Sequence, residues 1–252
     1  MADPIIRTEG LGLTGNGDRL LGSISIELER NTILGIIGPT GSGKTSFLRV
    51  INRLIEFDHG YRVSGRVYFE GRDIYQPEVD LAWLRRQIGM VFALPMPLPM
   101  SIYENLTFGP RLNGIRNRAA LEELVENSLR SAYLWEEVKD RLELPALKLS
   151  GGQQQRLCLA RILALKPRVV LLDDPCSGLD PISTSRIEEA IIRLKKHFSF
   201  ILVTNNTKQV SRVADRTAFF LYGELIETGP TAKIFTAPAD RRTNDYITGR
   251  FG

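Results

Sequence analysis

Residues 38–45 constrain the fold of this 252-residue chain more than any other feature. They read Gly-Pro-Thr-Gly-Ser-Gly-Lys-Thr and match the pattern GxxxxGK[ST] at every fixed position. The apolar run of residues 32–37 before them predicts a strand, and the spacing of Phe47, Leu48 and Ile51 after them predicts a helix. Because a strand, a glycine-rich turn and a helix in this order bind polyphosphate, we expect a nucleotide-binding α/β core.

The chemistry of this loop predicts its ligands. Backbone N–H groups that curl around an anion at the positive end of a helix are expected to bind polyphosphate oxygens. The Lys44 ammonium is expected to reach the β- and γ-phosphates, and the Thr45 hydroxyl to ligate Mg²⁺. The predicted nucleotide-binding residues of the loop are Gly38, Pro39, Thr40, Gly41, Ser42, Gly43, Lys44 and Thr45.

Two carboxylates follow the apolar run of residues 169–172, which predicts a buried strand. Asp173, at the end of that strand, is the predicted second oxygen ligand of Mg²⁺ beside Thr45. Asp174 is expected to point the other way along the strand, toward the position of an attacking water, and is a predicted catalytic residue. The alternative that either aspartate only caps a helix stays open.

A second glycine-rich helix start lies at residues 149–153, Leu-Ser-Gly-Gly-Gln. Ser150 and Gln153 have the spacing of a capping box. Capping alone does not account for Gly151 and Gly152, because each glycine costs about 1 kcal/mol relative to alanine inside a helix. Close approach of the backbone to an anion is a further reason, so all four residues are predicted to bind nucleotide.

Composition argues against other classes of protein. The chain is 43% hydrophobic with scattered charges, 33 basic against 29 acidic, so neither a disordered chain nor a nucleic-acid partner is expected. Its two cysteines form no CxxC motif, which favours a reducing cytoplasm over a disulfide framework or a zinc site. No apolar run approaches the roughly 20 residues that span a bilayer, so a membrane role would need a partner.

Hydrophobic periodicity along the rest of the chain predicts alternating strands and helices, and hence a mostly parallel sheet with crossover helices. Strands are predicted at residues 23–29, 67–69, 88–92 and 200–203, and helices over 117–135 and 187–194. Residues 93–103 carry no charge and three prolines, which predicts an extended apolar loop.

The motifs at residues 38–45, 149–153 and 177–180, with the strand ending in Asp173, resemble the ATP-binding subunit of ABC transporters. Residues 5–252 share this likeness. It implies an α/β P-loop NTPase of the ABC-ATPase fold, with a mixed, mostly parallel sheet and an N-terminal antiparallel β region. The implied single domain has a core lobe of residues 1–93 and 166–252 and a helical signature subdomain of residues 94–165.

Four further segments are more narrowly similar to the phosphate-import branch of that family: residues 100–105, 151–158, 179–184 and 245–252. This resemblance implies an importer subunit that couples ATP to the transport of inorganic phosphate. Its implied partners are two membrane-spanning permease subunits and a phosphate-binding protein, at the cytoplasmic face of the cell membrane.

The resemblance also implies a dimer, formed with a second copy or with another ATPase chain. In such a dimer the Leu-Ser-Gly-Gly-Gln segment of one chain faces the phosphate loop of the other, and two ATP molecules lie between them. In the family the segment around residues 93–103 faces the membrane subunit. The flexible thioethers of Met90, Met96 and Met100 suit an adaptable docking groove there, although a role as core filler stays open.

Four positions around the nucleotide depart from the family pattern. Ala93 replaces a glutamine that senses the metal and the water, Asp174 replaces a catalytic glutamate, and Asn205 replaces a switch histidine. Residues 11–14 contain no aromatic side chain to stack on adenine. Asp174 and Asn205 are nevertheless the predicted catalytic residues.

These departures leave alternatives open. A carboxylate shortened by about 1.5 Å is expected to slow hydrolysis more than it weakens binding, since the phosphate ligands remain. The chain would then be a hydrolysis-impaired regulatory subunit paired with an active ATPase chain. Gln87, Asn206 or an ordered water could instead replace the missing groups, which would keep hydrolysis intact. A soluble ABC ATPase outside transport is a third alternative.

Overall fold

The computed structural model describes residues 3–250. The strands are β1 (Ile6–Gly15), β2 (Asp18–Ile24), β3 (Glu27–Leu28), β4 (Ile33–Ile37), β5 (Tyr61–Phe69), β6 (Arg72–Asp73), β7 (Ile88–Val91), β8 (Val169–Asp173), β9 (Ser199–Val203), β10 (Arg216–Leu221) and β11 (Glu224–Pro230). The α-helices are α1 (Lys44–Ile51), α2 (Leu81–Gln87), α3 (Ile102–Leu112), α4 (Arg118–Ser131), α5 (Trp135–Val138), α6 (Gly151–Leu163), α7 (Pro181–Leu194), α8 (Thr207–Val213), α9 (Thr231–Thr236) and α10 (Arg241–Ile247). Short 3₁₀ turns lie at Leu54–Phe57, Lys139–Arg141 and Ala146–Lys148.

An antiparallel sheet in the order β2-β1-β5-β6, with β3 also paired to β1, forms the N-terminal β region. The single strand predicted over residues 23–29 is divided between β2 and β3. The Thr8 hydroxyl explains the division, because it donates to the Ile24 carbonyl and accepts from the Ile26 N–H, both at 3.0 Å. The Thr8 side chain thus bonds backbone groups of residues 24 and 26 that would pair with β1 if the strand were continuous.

A six-stranded sheet in the order β11-β10-β4-β9-β8-β7 forms the centre of the molecule. Every pairing in it is parallel except that of β10 with β11. All residues of β4, β8 and β9 are buried, as expected for parallel strands covered on both faces. Because these strands run in one direction, residues 37, 173 and 203 end at the same edge of the sheet. The predicted fold class is confirmed.

Helices α3, α4 and α6 pack on one another and share one apolar core with the inner face of the six-stranded sheet. The helix predicted over residues 117–135 starts after Asn117, whose side chain accepts from the Ala120 N–H, and ends at Ser131. Tyr133 then has a φ of 53°, which stops the helix.

None of the helices within residues 3–250 has both the length and the apolar character needed to cross a bilayer. The segment 245–252 that resembles the phosphate-import branch lies partly in α10, and its last two residues fall outside the described part of the chain.

Candidate nucleotide-binding site

The loop between β4 and α1 is shaped by its glycines. Gly38 has a φ of 154°, and a Cβ added there would lie 2.1 Å from the Phe220 carbonyl oxygen, so only glycine fits. Gly43 precedes α1 in the left-handed conformation, with a φ of 90°. The helix therefore begins at Lys44 and Thr45, which places both side chains beside the loop.

Lys44 is 7% exposed, and its ammonium is folded back onto its own loop. Its Nζ donates to the carbonyl oxygens of Gly38 and Pro39, both at 2.8 Å, and to Ser42 Oγ at 3.3 Å. Burial lowers the pKa of Lys44, while the nearby carboxylates of Asp174 and Asp173 oppose that change. A buried cation held by neutral carbonyls is available to an anion that enters the loop.

Thr45 and Asp173 meet across the sheet edge. The Thr45 hydroxyl donates to Asp173 Oδ1 at 2.9 Å, although the two residues are 128 positions apart. Burial raises the pKa of Asp173, and the neighbouring charge of Asp174 acts in the same direction, against the Thr45 hydrogen bond. The structure thus brings together the two side chains predicted to hold Mg²⁺.

Asp174 does not continue the strand, contrary to the prediction that it points away from Asp173 along β8. Its φ is 43°, and its N–H donates to the Val203 carbonyl at 2.7 Å. The Thr204 hydroxyl donates to Asp174 Oδ1 at 3.0 Å. The left-handed turn directs both aspartates to one cavity, because the alternation of a strand ends with the strand. Thr204 was not identified from the sequence, since a single threonine after a strand has no distinctive pattern.

A cavity of about 490 Å³ joins these groups. Residues 40–46 form one wall, and Asp173, Asp174 and Asn205 also line it. Arg19, Leu20, Tyr222 and Gly223 lie on its border, and sequence reasoning missed all four.

Gln87 and Asn206, the residues that could replace the family's glutamine and histidine at the nucleotide, lie outside the cavity. Gln87 ends α2, where its carbonyl accepts from the Arg168 N–H at 2.8 Å, and the side chain of Asn206 caps α8 by accepting from the Gln209 N–H at 3.2 Å. Neither residue lines the cavity, nor does Ala93. Asn205, which does line it, is exposed.

The Leu-Ser-Gly-Gly-Gln segment forms the predicted capping box at the start of α6. Ser150 Oγ accepts from the Gln153 N–H at 3.4 Å, and Gln153 Oε1 accepts from the Ser150 N–H at 3.1 Å. None of residues 150–153 lines the phosphate-loop cavity of the same chain. Within one chain, therefore, the two predicted anion sites are separate.

The two glycines of this segment have different surroundings. A Cβ at Gly152 would lie 2.2 Å from Ser183 Oγ, whereas nothing lies within 4 Å of a Cβ at Gly151. Gly152 is thus explained by close packing of α6 on the start of α7, which corrects the inference that both glycines serve approach to an anion. Only Gly151 leaves open space at the helix start.

Glu137 ties the start of α6 to the rest of the helical region. Its carboxylate accepts from Gln153 Nε2 at 2.9 Å and from the buried Arg156 guanidinium at 2.7 Å, and it also pairs with Arg186. Partial burial alone would raise the pKa of Glu137, but hydrogen bonds from Arg156 and Gln153 hold it below its ordinary value. No periodicity or motif in the sequence marks this residue.

The apolar loop before α3 is exposed but held in place. Leu94 is 78% and Met96 60% exposed. Asn105, fully buried, accepts from the Leu98 N–H at 2.8 Å and donates to its carbonyl at 3.1 Å. Met90 lies instead in the core, 7% exposed, so it does not contribute to an exposed docking groove.

A glycine-rich loop with a buried lysine, at the carboxyl edge of a mostly parallel sheet, defines a P-loop nucleotide-binding protein. Residues 21–177 match the family described as "ABC transporter", which is more than half of the chain. The protein belongs to the ABC transporter family. It is an ATP-binding subunit of that family, in which this domain binds and hydrolyses ATP.

Two solved structures are similar over nearly the whole chain. One is cbiO1 from Clostridium perfringens, part of the ABC transporter complex cbiONQ, with a TM-score of 0.82, 25% identity, and coverage of 99% of this chain and 97% of that one. The other is a bacterial Atm1-family ABC exporter with ATP bound, with a TM-score of 0.81, 22% identity, and coverage of 100% of this chain and 43% of that one. The second likeness concerns the fold alone.

Proposed function

We propose that this chain is the ATP-hydrolysing subunit of an importer for inorganic phosphate. It would act at the cytoplasmic face of the cell membrane, with two permease subunits and a phosphate-binding protein as partners. The ATPase role is supported above all by the convergence of Lys44, Thr45 and Asp173 on one cavity. The choice of phosphate rests on the motifs at residues 100–105, 151–158, 179–184 and 245–252.

In this proposal the phosphate loop binds the triphosphate of ATP. The Lys44 ammonium exchanges its bonds to the loop carbonyls for bonds to β- and γ-phosphate oxygens, which are stronger because both partners are charged. Asp174 orients and deprotonates the attacking water, and Asn205 donates a hydrogen bond to the γ-phosphate. The backbone N–H groups of the loop hold the remaining oxygens.

A magnesium ion fits the donor set at this edge, because the Thr45 hydroxyl and the Asp173 carboxylate are adjacent hard oxygen ligands. No cluster of three or more His, Cys, Asp or Glu residues within 3–250 is arranged to hold a metal ion by itself. The remaining ligands would come from phosphate oxygens and water. When bound, the ion neutralises charge that develops between the β- and γ-phosphates.

A second ATPase chain would complete the site. Residues 150–153 are at the start of a 13-residue helix and lie outside the cavity of their own chain. They can bind a γ-phosphate only if it is presented by another chain. The proposed dimer therefore places them opposite the phosphate loop of the partner, and ATP holds the two chains together.

The exposed loop around Leu94 and Met96 would contact the permease subunits. Its apolar side chains have no structural reason to face water, and Asn105 fixes the backbone that presents them. The loop backbone is fixed, while its flexible thioether and aliphatic side chains can adapt to the surface of a partner helix.

A hydrolysis-impaired regulatory role is the second candidate, favoured by the surroundings of Asp174 and Ala93. Thr204 holds the short Asp174 carboxylate at the edge of the cavity, while Ala93 does not reach the cavity at all. Turnover by the purified chain, measured as phosphate released from ATP, separates the two roles. An ordinary ATPase rate of about 1 to 10 s⁻¹ would reject the regulatory role.

The transport role is tested in cells that carry either the wild-type chain or Lys44→Ala as the sole copy. We expect Lys44→Ala to abolish uptake of radiolabelled phosphate and to leave sulfate uptake unchanged. If Lys44→Ala abolished uptake of another solute while phosphate uptake stayed normal, phosphate would not be the transported solute. Failure of the wild-type chain to co-purify with any membrane subunit would instead favour an ABC ATPase outside transport.

A further inference from the structure

Tyr222 stands at the border of the phosphate-loop cavity with its side chain open to solvent. The residue is 81% exposed and, among the described residues that line the cavity, it is the only aromatic one. Its backbone position is fixed through Gly223, whose N–H donates to the Ser42 carbonyl and whose carbonyl accepts from the Gly22 N–H. The turn is thus clamped between the phosphate loop and β2.

Neither burial nor backbone conformation accounts for a tyrosine here. Tyr222 and Gly223 form the two-residue connection between β10 and β11, with φ values of 49° and 79°. Asparagine, aspartate or glycine is favoured at the first position of such a turn, and a bulky side chain with positive φ is uncommon. An unfavourable exposed residue beside a binding cavity points to a contact with a ligand.

Arg19 lines the same cavity, and its guanidinium folds back over its own strand, β2. A Cβ at Gly22 would lie 1.6 Å from its guanidinium, so that glycine makes room for it. The guanidinium also pairs with Glu224 at 3.3 Å, from the strand that follows Tyr222. A planar cation and an aromatic ring at one border both stack well on a nucleobase.

We propose that Tyr222, assisted by Arg19, is the surface on which the base of the bound nucleotide stacks. This inference rests on the proposed ATP-binding function and concerns the base end of the same cavity. Residues 11–14 contain no aromatic side chain to stack on the base, and in this proposal the β10–β11 turn supplies one from another part of the chain. Tyr222 is a binding residue and takes no part in hydrolysis.

Calorimetric titration of the full chain with Mg-ATP and with inorganic tripolyphosphate tests the proposal. Tripolyphosphate has the three linked phosphates of ATP but lacks both its ribose and its base. Tyr222→Ala and Tyr222→Asn are expected to weaken ATP binding about 10- to 100-fold and to change tripolyphosphate binding less than about twofold. Tyr222→Phe keeps the ring and is expected to bind ATP as the wild type does. Arg19→Ala is expected to weaken ATP binding about two- to fivefold.

Thermal unfolding distinguishes a binding role from a structural one. Because asparagine suits the turn better, Tyr222→Asn is expected to unfold at the wild-type temperature or above it while losing ATP affinity. Phe57→Ala is the matched control, since Phe57 is 67% exposed and lies outside the cavity. It is expected to leave the affinities for both ligands unchanged.

Several outcomes would overturn the inference. Unchanged ATP affinity in Tyr222→Ala would do so, and so would an equal loss for ATP and tripolyphosphate, which would mean that the residue supports the phosphate loop. Both results leave the proposed function standing if Lys44→Ala abolishes binding of both ligands. A wild-type chain that binds neither ligand overturns the proposed function and the inference together.

Discussion

We expect the triple variant Asp174→Glu, Ala93→Gln, Asn205→His to hydrolyse ATP at least about tenfold faster than the wild type. Its central change lengthens the carboxylate at position 174. Asp174 borders the cavity, but Thr204 holds its Oδ1 at 3.0 Å on the side of β9. One added methylene advances the carboxylate by about 1.5 Å. Because a misplacement of about 1 Å can cost roughly 100-fold in rate, a tenfold gain is a conservative expectation.

The structure also predicts which of the three substitutions has the smallest effect on turnover. Asp174 and Asn205 line the cavity, whereas Ala93 does not, so Ala93→Gln alone is expected to have the smallest effect. Groups that act as a unit on one transition state are not additive, and the single variants are therefore expected to fall well short of the triple. Glutamate in the left-handed conformation of residue 174, with a φ of 43°, is expected to cost about 1 kcal/mol of stability.

Turnover is measured as phosphate released at saturating Mg-ATP, and ATP affinity is measured separately at equilibrium. Affinity is expected to change little, because none of the three residues contacts the proposed base-stacking surface. Asp174→Asn, which keeps the size of the side chain but removes its charge, is the control and should show no gain. A wild-type rate of about 1 to 10 s⁻¹ without improvement in the triple variant would refute the reasoning.

Three further outcomes are expected. The isolated chain should sediment as a monomer and dimerise only with ATP, so a tight dimer without nucleotide would contradict the proposed arrangement. Leu94→Glu should abolish co-purification with membrane subunits while ATP affinity stays unchanged, whereas Ile192→Glu, at a residue that is 44% exposed on α7, should keep both. Gly152→Ala should lower the free energy of unfolding by about 1 to 3 kcal/mol through contact with the adjoining helix, while Gly151→Ala should not lower it, as denaturant titration would show.

Much of the fold could be predicted from the sequence. Strands β4, β8 and β9 are short apolar runs that end at turns or charged residues, and such local patterns identify buried parallel strands. The capping box at the start of α6 is likewise a local pattern, since both of its hydrogen bonds join residues three positions apart. The predicted α/β class follows from the same kind of signal, whereas the antiparallel pairing of the N-terminal β region was implied by the family resemblance.

The candidate site was only partly predictable. Residues 40–45 of the predicted loop meet Asp173 at one cavity, whereas Gly38 and Pro39 do not line it. The binding roles of all these residues stay predictions that the experiments above address. The predicted orientation of Asp174 is wrong, because β8 ends at Asp173 and the left-handed conformation of residue 174 ends the alternation expected for a strand. Met90 lies within the strand predicted over residues 88–92, and of its two predicted roles, in a docking groove or in the core, the structure supports the core.

The sequence by itself determined the motifs whose residues are close along the chain, since helix starts, turns and strand periodicity depend on neighbours only a few positions away. Tertiary structure alone decided which distant groups share a site. Parallel pairing brings Thr45 to Asp173, and the β10–β11 turn carries Tyr222 to the phosphate loop. Contacts between residues more than 100 positions apart leave no periodic signal in the chain, because they depend on how the strands are ordered in the sheet.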